Sequence, residues 1–250
     1  MGNVVMTEEM SAFDRIYTAD LTYIPDCWKL CGDAHCCNFS RYKSRFKLVL
    51  KKAFHELLLL PGEYEFLEAK GWLEQFKPYE HRVIEFPIAR GVLRIESITS
   101  RKPGCACEHA TRPVICRLYP LLPVFDVAGR LTAIERLTIY EEMETIGGLP
   151  SACQITALPF EQSNTFLNMT TELGRNVKHL FYLAAYRAAK NHVAKRLAKT
   201  RAENNKDIFA IFENAFMRRQ LIDQTELRTE LDAMAEKFAS HYGAQFDLGK

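Results

Sequence analysis

The first clear pattern is an alternation of apolar and polar residues in the first half of the chain. It covers 83–88 and 92–98, on either side of a short polar break at 89–91, and it predicts a β-hairpin. Pro87 has no amide hydrogen to donate, so we expect it on an edge strand or at a bulge.

A second hairpin is predicted a little further along. Two short apolar segments, 123–127 and 131–135, lie on either side of Ala128-Gly129-Arg130. Two such hairpins could make one small antiparallel sheet.

Helical spacing predicts three helices before and between these strands. The first covers Met10–Tyr17, the second Arg41–Leu60 and the third Glu63–Phe76. Pro61-Gly62 ends the second of these helices. Acidic residues in the first turns favour the start of the third, and Gly71 weakens its end.

From about Thr165 the pattern is wholly helical. Leu173–Ala202, Asn205–Met217 and Gln224–Tyr242 are the predicted segments. Most apolar positions of the first segment share one face, but Val193 and Leu197 fall on the opposite one. That helix must therefore bend or pack on two sides.

These elements predict an α+β fold that is mainly helical, with a small antiparallel sheet. We expect a cysteine-cluster module over 1–160 and a helical extension packed on it over 161–250. With 48% apolar and 26% charged residues, the composition is that of a globular protein. No apolar stretch is long enough to cross a membrane and no signal peptide is evident, so we expect a cytoplasmic protein with no membrane partner.

Cysteine placement carries the candidate chemistry. All eight cysteines lie in the first part of the chain: Cys27, Cys31, Cys36, Cys37, Cys105, Cys107, Cys116 and Cys153. Thiolates are strong ligands for zinc and iron, and paired ligands a few residues apart can be delivered by one loop or turn. In a reducing cytoplasm such clusters are more often ligands than disulfides. We therefore predict that all eight are candidate metal ligands, and that Cys27–Cys37 is brought together with the distant Cys105, Cys107 and Cys116.

Thiolates alone do not decide between zinc and iron. Four ligands satisfy either a tetrahedral zinc or a four-iron cluster, so eight cysteines allow two sites, or one site with additional thiols. We favour an iron–sulfur cluster, because eight exceed what one zinc needs and the adjacent Cys36 and Cys37 can serve two irons. Whether His35 or His109 is a ligand stays open, and Cys153 is equally compatible with a core position.

The cysteine spacing and one further block resemble a known family. Cys27-x3-Cys31-Gly32-x3-Cys36-Cys37, Cys105-x-Cys107 and Arg112-Pro113-x2-Cys116-Arg117-x-Tyr119-Pro120 are similar to the CxxCxxCC cysteine-cluster family, which is described as zinc- or iron-chelating. The last block is the most specific. The resemblance covers about 20–155, although the first spacings are longer than the family's.

Some members of that family resemble flagellin lysine N-methylases, which use S-adenosylmethionine. The resemblance therefore implies an alternative function, an S-adenosylmethionine-dependent protein lysine N-methyltransferase acting on a protein substrate. Glu108 and Tyr119 are candidates for orienting an amine by position alone, and the dinucleotide and P-loop fingerprints are absent. Arg112 and Arg117 either offset the charge of the thiolates or anchor a loop.

A third alternative is a zinc-containing protein that binds nucleic acid. Its support is the helix at 173–202, which contains no acidic residue and has these cations: Arg175, Lys178, Arg187, Lys190, Lys195, Arg196, Lys199 and Arg201. Acidic residues of 203–236 can offset this charge, and the net charge is only +2. We therefore do not expect nucleic acid to be the principal partner.

Overall fold

The structure is a computed structural model that describes residues 8–21, 23, 46, 55–100, 108–151, 153, 155, 157–204 and 206–249. Its helices and strands are α1 (Glu8–Thr18), β1 (His55–Leu59), α2 (Glu63–Ala69), β2 (Tyr79–Ile88), β3 (Gly91–Ser100), α3 (Val114–Leu118), β4 (Leu121–Phe125), β5 (Leu131–Arg136), α4 (Ile139–Gly147), α5 (Ser163–Arg175), α6 (Val177–Asn204), α7 (Ile208–Met217) and α8 (Gln224–Tyr242). Short 3-10 turns lie at Trp72–Phe76, His109–Thr111, Phe160–Gln162 and Gly243–Gln245. The predicted α+β class is confirmed.

The first predicted hairpin is confirmed and is longer than expected. Strands β2 and β3 pair antiparallel from Tyr79↔Ser100 to Ile88↔Gly91, and β1 pairs with the other side of β3. The order β1-β3-β2 places β2 at an edge of this sheet. Pro87 therefore lies on an edge strand, where its missing amide hydrogen costs the ladder little.

The predicted helix over Arg41–Leu60 is wrong at its end, because His55–Leu59 is strand β1. Within β1, Leu57 and Leu59 are buried while Glu56 and Leu58 are less so, which is the two-residue period of a strand. A short run of leucines does not distinguish a strand from a buried helix by periodicity. Of the rest of that prediction, only Phe46 and Leu60 lie within the described residues.

The predicted helix over Glu63–Phe76 divides in two. Helix α2 ends at Ala69, and the chain continues as a 3-10 turn over Trp72–Phe76. Gly71, between them, has a φ of 70°, a left-handed conformation that interrupts the helix and favours glycine. The weakness predicted at Gly71 is thus a complete break.

The second predicted hairpin is confirmed as β4 and β5, with an irregularity between Val124 and Phe125. The expectation of one sheet is wrong, because β4 and β5 form a separate two-stranded sheet. Strand β4 is buried along most of its length and packs on the long helix α6. Its apolar side chains are therefore covered by helix α6.

The helical second part is confirmed, with one added boundary. The segment predicted as one helix over Leu173–Ala202 is interrupted at Asn176, between α5 and α6. The Asn176 side chain accepts hydrogen bonds from the amides of Lys178 and His179 at 2.9 and 3.2 Å. Asparagine in this position satisfies amides that have no partner within the new helix, so it begins α6.

Helix α6 packs on two sides, which is one of the two arrangements expected from its sequence; the other was a bend. Its first half contributes Leu180 and Phe181 to the main core, which also contains residues of α1, β1, α2 and α8. Its second half contributes Val193 and Leu197 to a smaller core shared with α4 and α7. Residues of the predicted first module and of the helical extension therefore share the main core.

Among the described residues, none of the helices combines the length and the apolar character that crossing a bilayer requires.

Candidate metal centre

Helix α3, which carries Cys116, is held at its first residue by a buried carboxylate. Glu63 is 0% exposed, and its Oε1 accepts hydrogen bonds from the Val114 amide at 2.7 Å and the Tyr17 hydroxyl at 2.6 Å. Its Oε2 accepts one from the Leu60 amide at 2.8 Å. The carboxylate therefore joins α1, the end of β1 and α3 at one point, which fixes the start of the Cys116 helix.

Arg117 fastens the chain that leads toward the first cysteines onto α3. Its guanidinium donates hydrogen bonds to the carbonyls of Ala19, Tyr17 and Ala110. The same group lies over the Tyr17 ring, 4.7 Å from the centroid. With only 3% of its surface exposed, Arg117 makes these contacts away from water, where they are strongest.

Two further hydrogen bonds extend this attachment to Tyr23. Arg112 donates from Nη2 to the Leu21 carbonyl at 3.1 Å, and the Tyr23 hydroxyl donates to the Leu118 carbonyl at 2.8 Å. Both bonds join residues that are more than ninety positions apart in the chain. The Arg-Pro-x-x-Cys-Arg block thus binds the stretch from Tyr17 to Tyr23 through backbone carbonyls.

Gln75 positions the residues that directly follow Cys107. Its Oε1 accepts a hydrogen bond from the Glu108 amide at 2.7 Å. Its Nε2 donates to the Thr111 hydroxyl at 3.0 Å and to the Trp72 carbonyl at 2.8 Å. The turn after the second cysteine pair is therefore attached to the end of the 3-10 segment that follows α2.

Burial dominates the electrostatics of this cluster. It raises the pKa of the Glu63 carboxyl, and the hydrogen bonds from Tyr17, Leu60 and Val114 oppose that rise. Burial likewise lowers the pKa of the Arg117 guanidinium. Burial, and then the charge of Glu63, raises the pKa of Tyr17.

Two guanidinium nitrogens of this cluster are left without an acceptor. Within the part of the chain that the structure describes, Arg112 Nε and Arg117 Nε are buried and donate a hydrogen bond to no acceptor. An unmatched buried donor costs roughly 1–3 kcal/mol, more when it is charged. The site therefore has positive charge and hydrogen-bonding capacity to spare beside Cys116.

Two of the eight predicted ligands lie within the described residues. Cys116 is half-buried on α3, and Cys153 is buried in the main core, where its carbonyl accepts a hydrogen bond from the Ser151 hydroxyl at 3.0 Å. The other six lie outside the described residues: Cys27, Cys31, Cys36, Cys37, Cys105 and Cys107. His35 lies outside them as well. In the described ranges, no three His, Cys, Asp or Glu side chains are arranged to hold a metal ion.

The remaining candidates occupy the same segment. His109 is half-buried in the turn before α3, and Glu108 is exposed beside it. Tyr119 follows α3, and its side chain hydrogen-bonds Glu141, a buried carboxyl whose pKa is raised by that burial. Tyr119 is thus engaged by α4, and its suggested role toward an amine stays a prediction.

Sequence reasoning missed the residues that organise the site. Glu63 was expected only to favour the first turn of a helix, and neither Tyr17 nor Tyr23 was singled out. A buried carboxylate leaves no periodic signal in one sequence, because its partners are two backbone amides and a hydroxyl from other elements. The arginines were found through the Arg-Pro-x-x-Cys-Arg block, and the structure gives both of them anchoring contacts.

Comparisons of this chain with protein-family models, with curated proteins and with solved structures found no match. The resemblance to the cysteine-cluster family, and the methyltransferase activity it implies, therefore stay predictions from the residues quoted above.

Proposed function

We propose that this protein holds a metal centre through cysteines delivered by two segments, Cys27–Cys37 and Cys105–Cys116. An iron–sulfur cluster is our preferred occupant and zinc the alternative. The observation that carries the proposal is the fastening of Tyr17–Tyr23 to α3 by Arg112, Arg117 and Tyr23. That fastening brings together the described flanks of the two cysteine segments.

Chain length supports this placement. Cys27 follows Tyr23 by four residues, a stretch that reaches at most about 14 Å when fully extended. Cys107 directly precedes Glu108, which Gln75 holds near the turn before α3. Cys116 is on α3 itself. Cysteines of both segments are therefore within reach of one centre beside α3.

Charge supports it as well. Four thiolates around a divalent ion carry a net charge of about −2, and a cluster with four thiolate ligands is also an anion. The buried nitrogens Arg112 Nε and Arg117 Nε are donors with no acceptor among the described residues. Cations in this position lower the electrostatic cost of burying such an anion and tune the metal. Their side chains therefore have both an anchoring and a charge-compensating role in the proposal.

The test is the metal content of the full chain purified without oxygen. We expect either iron with acid-labile sulfide and a brown colour, or zinc with no colour. The metal found should be enough to fill at least one site in each chain. Chelation should unfold the module, because a structural centre contributes on the order of 10 kcal/mol to folding. A folded, colourless chain with neither metal would refute the proposal.

Variants distinguish ligands from core cysteines. Cys116→Ser should lower the metal content, while Ser151→Ala, which alters only a hydroxyl next to Cys153, should retain it. Cys153→Ala reports on the buried cysteine. Loss of metal would make Cys153 a ligand, and loss of stability with full metal content would make it a core residue.

A further inference from the structure

The basic side chains in the middle of helix α6 form ion pairs with acidic residues, whereas those nearer its end do not among the described residues. In its middle, Arg187 and Lys190 form ion pairs with Glu135, and Lys190 also pairs with Glu142 at 3.1 Å. His192 lies 2.8 Å from Glu230 of α8. Acidic residues of β5, α4 and α8 thus offset the positive charge in the middle of this helix.

Beyond His192 this offset ends. Lys195, Arg196 and Lys199 are exposed, and among the described residues none of them forms an ion pair. A cleft of about 350 Å³ opens beside them, between the end of α6 and helix α7. Its polar lining comes from three successive stretches of chain and includes Arg196, Lys206, Arg218, Thr200, Asn214 and Gln220.

Among the described residues, no carboxylate lines this cleft, and the three cations that do come from α6, the α6–α7 connection and the end of α7. The helix dipole accounts for a cation in the last turn of a single helix. It does not account for Lys206, which lies outside both helices and faces the same space as Arg196 and Arg218. Converging, unneutralised cations of this kind suit an anion with several acceptor oxygens.

We propose that this cleft binds phosphate groups, and that the phosphates belong to a nucleic-acid strand. Arginine presents a planar pair of donors that matches a phosphate, and lysine adds a point charge. The exposed cations Lys195 and Lys199 continue along α6 beyond the cleft, which suits a ligand with repeated charges better than one with a single phosphate. The amide and hydroxyl groups of Asn214, Gln220 and Thr200 add neutral hydrogen-bonding capacity.

The binding test uses the full chain and fluorescence anisotropy with a labelled single-stranded oligonucleotide. If three cations neutralise three phosphates, the logarithm of the binding constant should fall against the logarithm of salt concentration with a slope of about −2. Lys206→Glu should weaken binding by roughly tenfold or more, and Arg218→Ala should reduce the slope by about 0.7. Lys206 and Arg218 are exposed, so we expect both variants to fold, which circular dichroism checks.

Lys237→Glu is the matched control, since Lys237 is an exposed lysine on α8, away from the cleft lining. Equal effects of Lys206→Glu and Lys237→Glu would overturn the proposal, as would binding to anionic lipid vesicles without binding to the oligonucleotide. Pyrophosphate is used as a second probe, to distinguish a nucleic-acid strand from a small phosphate compound as the ligand. Competition with the strand supports the proposal, and Lys206-dependent binding of pyrophosphate alone would retain the phosphate site but overturn the nucleic-acid strand as its ligand.

Discussion

The guanidinium of Arg117 lies over the ring of Tyr17, 4.7 Å from its centroid, although the two residues are 100 positions apart in the chain. The same guanidinium binds the carbonyls of Tyr17 and Ala19, so one side chain determines how the end of α1 meets α3. This contact connects the approach to the first cysteines with the helix of Cys116. Its removal is therefore the most direct test of the site's framework.

Arg117→Ala should lower the free energy of unfolding by about 3–5 kcal/mol, because one buried and two partly buried hydrogen bonds to carbonyls lose their charged donor and Glu63 loses a nearby cation. Urea unfolding measures the change. Arg82→Ala is the control, since Arg82 forms an exposed pair with Glu80 and its loss should change stability far less. Equal losses for the two variants would contradict the anchoring role.

Glu63→Gln tests the buried carboxylate through pH. Burial raises the pKa of Glu63 in the folded protein. There is therefore a pH range in which Glu63 is protonated in the folded state and ionised in the unfolded state. The stability contributed by this group is present below the unfolded pKa and is lost as pH rises through the folded pKa. The wild type should therefore lose stability relative to Glu63→Gln as the pH rises from about 4.5, the ordinary pKa of a glutamic acid, toward neutrality and above, by at most about 1.4 kcal/mol per pH unit.

The measurement is urea unfolding of both proteins across this range. Glu63→Gln should also show a loss that is independent of pH, because an amide nitrogen cannot accept the Leu60 or Val114 hydrogen bond. Glu65→Gln serves as control, since Glu65 lies in water on the same helix. If the difference in unfolding free energy between wild type and Glu63→Gln did not change with pH, burial would not shift the pKa of Glu63.

Local sequence patterns predicted the helices and strands far better than they predicted which strands pair with each other. The hairpin at 83–98 and the helix Gln224–Tyr242 follow from alternation and from 3.6-residue spacing, which depend only on neighbours in the chain. Strand β1 was predicted as a helix, because a run of leucines fits either element and its pairing with β3 is a long-range contact. The same limit explains why β4 and β5 were joined to the wrong sheet.

The candidate site follows the same division. The sequence indicated Arg112, Arg117 and Cys116 through a block of close residues, and the structure shows what the two arginines bind. Glu63 could not be predicted, since its role depends on amides and a hydroxyl that only the fold brings to it. The charge of α6 was expected to be offset by later acids, but Arg187 and Lys190 pair with Glu135, which precedes the helix in the chain.

Lys190→Met tests this internal charge cluster. Lys190 Nζ donates to the Arg136 carbonyl at 2.6 Å and to Glu142 at 3.1 Å, and its side chain is only 2% exposed. Methionine fills a similar volume but leaves the carbonyl and a partly buried carboxylate without this donor. We expect a loss of about 2–3 kcal/mol in unfolding free energy.

Lys195→Met is the control, because Lys195 is exposed on the same helix and should change stability by no more than about 0.5 kcal/mol. A loss for Lys190→Met as small as for Lys195→Met would show that the cluster contributes no net stability.

Gly174→Ala should reverse the usual effect of this substitution in a helix. Alanine in place of glycine normally stabilises a helix interior by about 1 kcal/mol. A Cβ at Gly174, however, would lie 2.3 Å from the carbonyl oxygen of Gly129, in the turn between β4 and β5. Relief of that overlap requires α5 and the β4–β5 turn to move apart, so we expect a loss of about 1–3 kcal/mol. Asn168→Ala, at an exposed position of the same helix, should cause no loss, and a Gly174→Ala protein more stable than wild type would disprove the close approach of the two glycines.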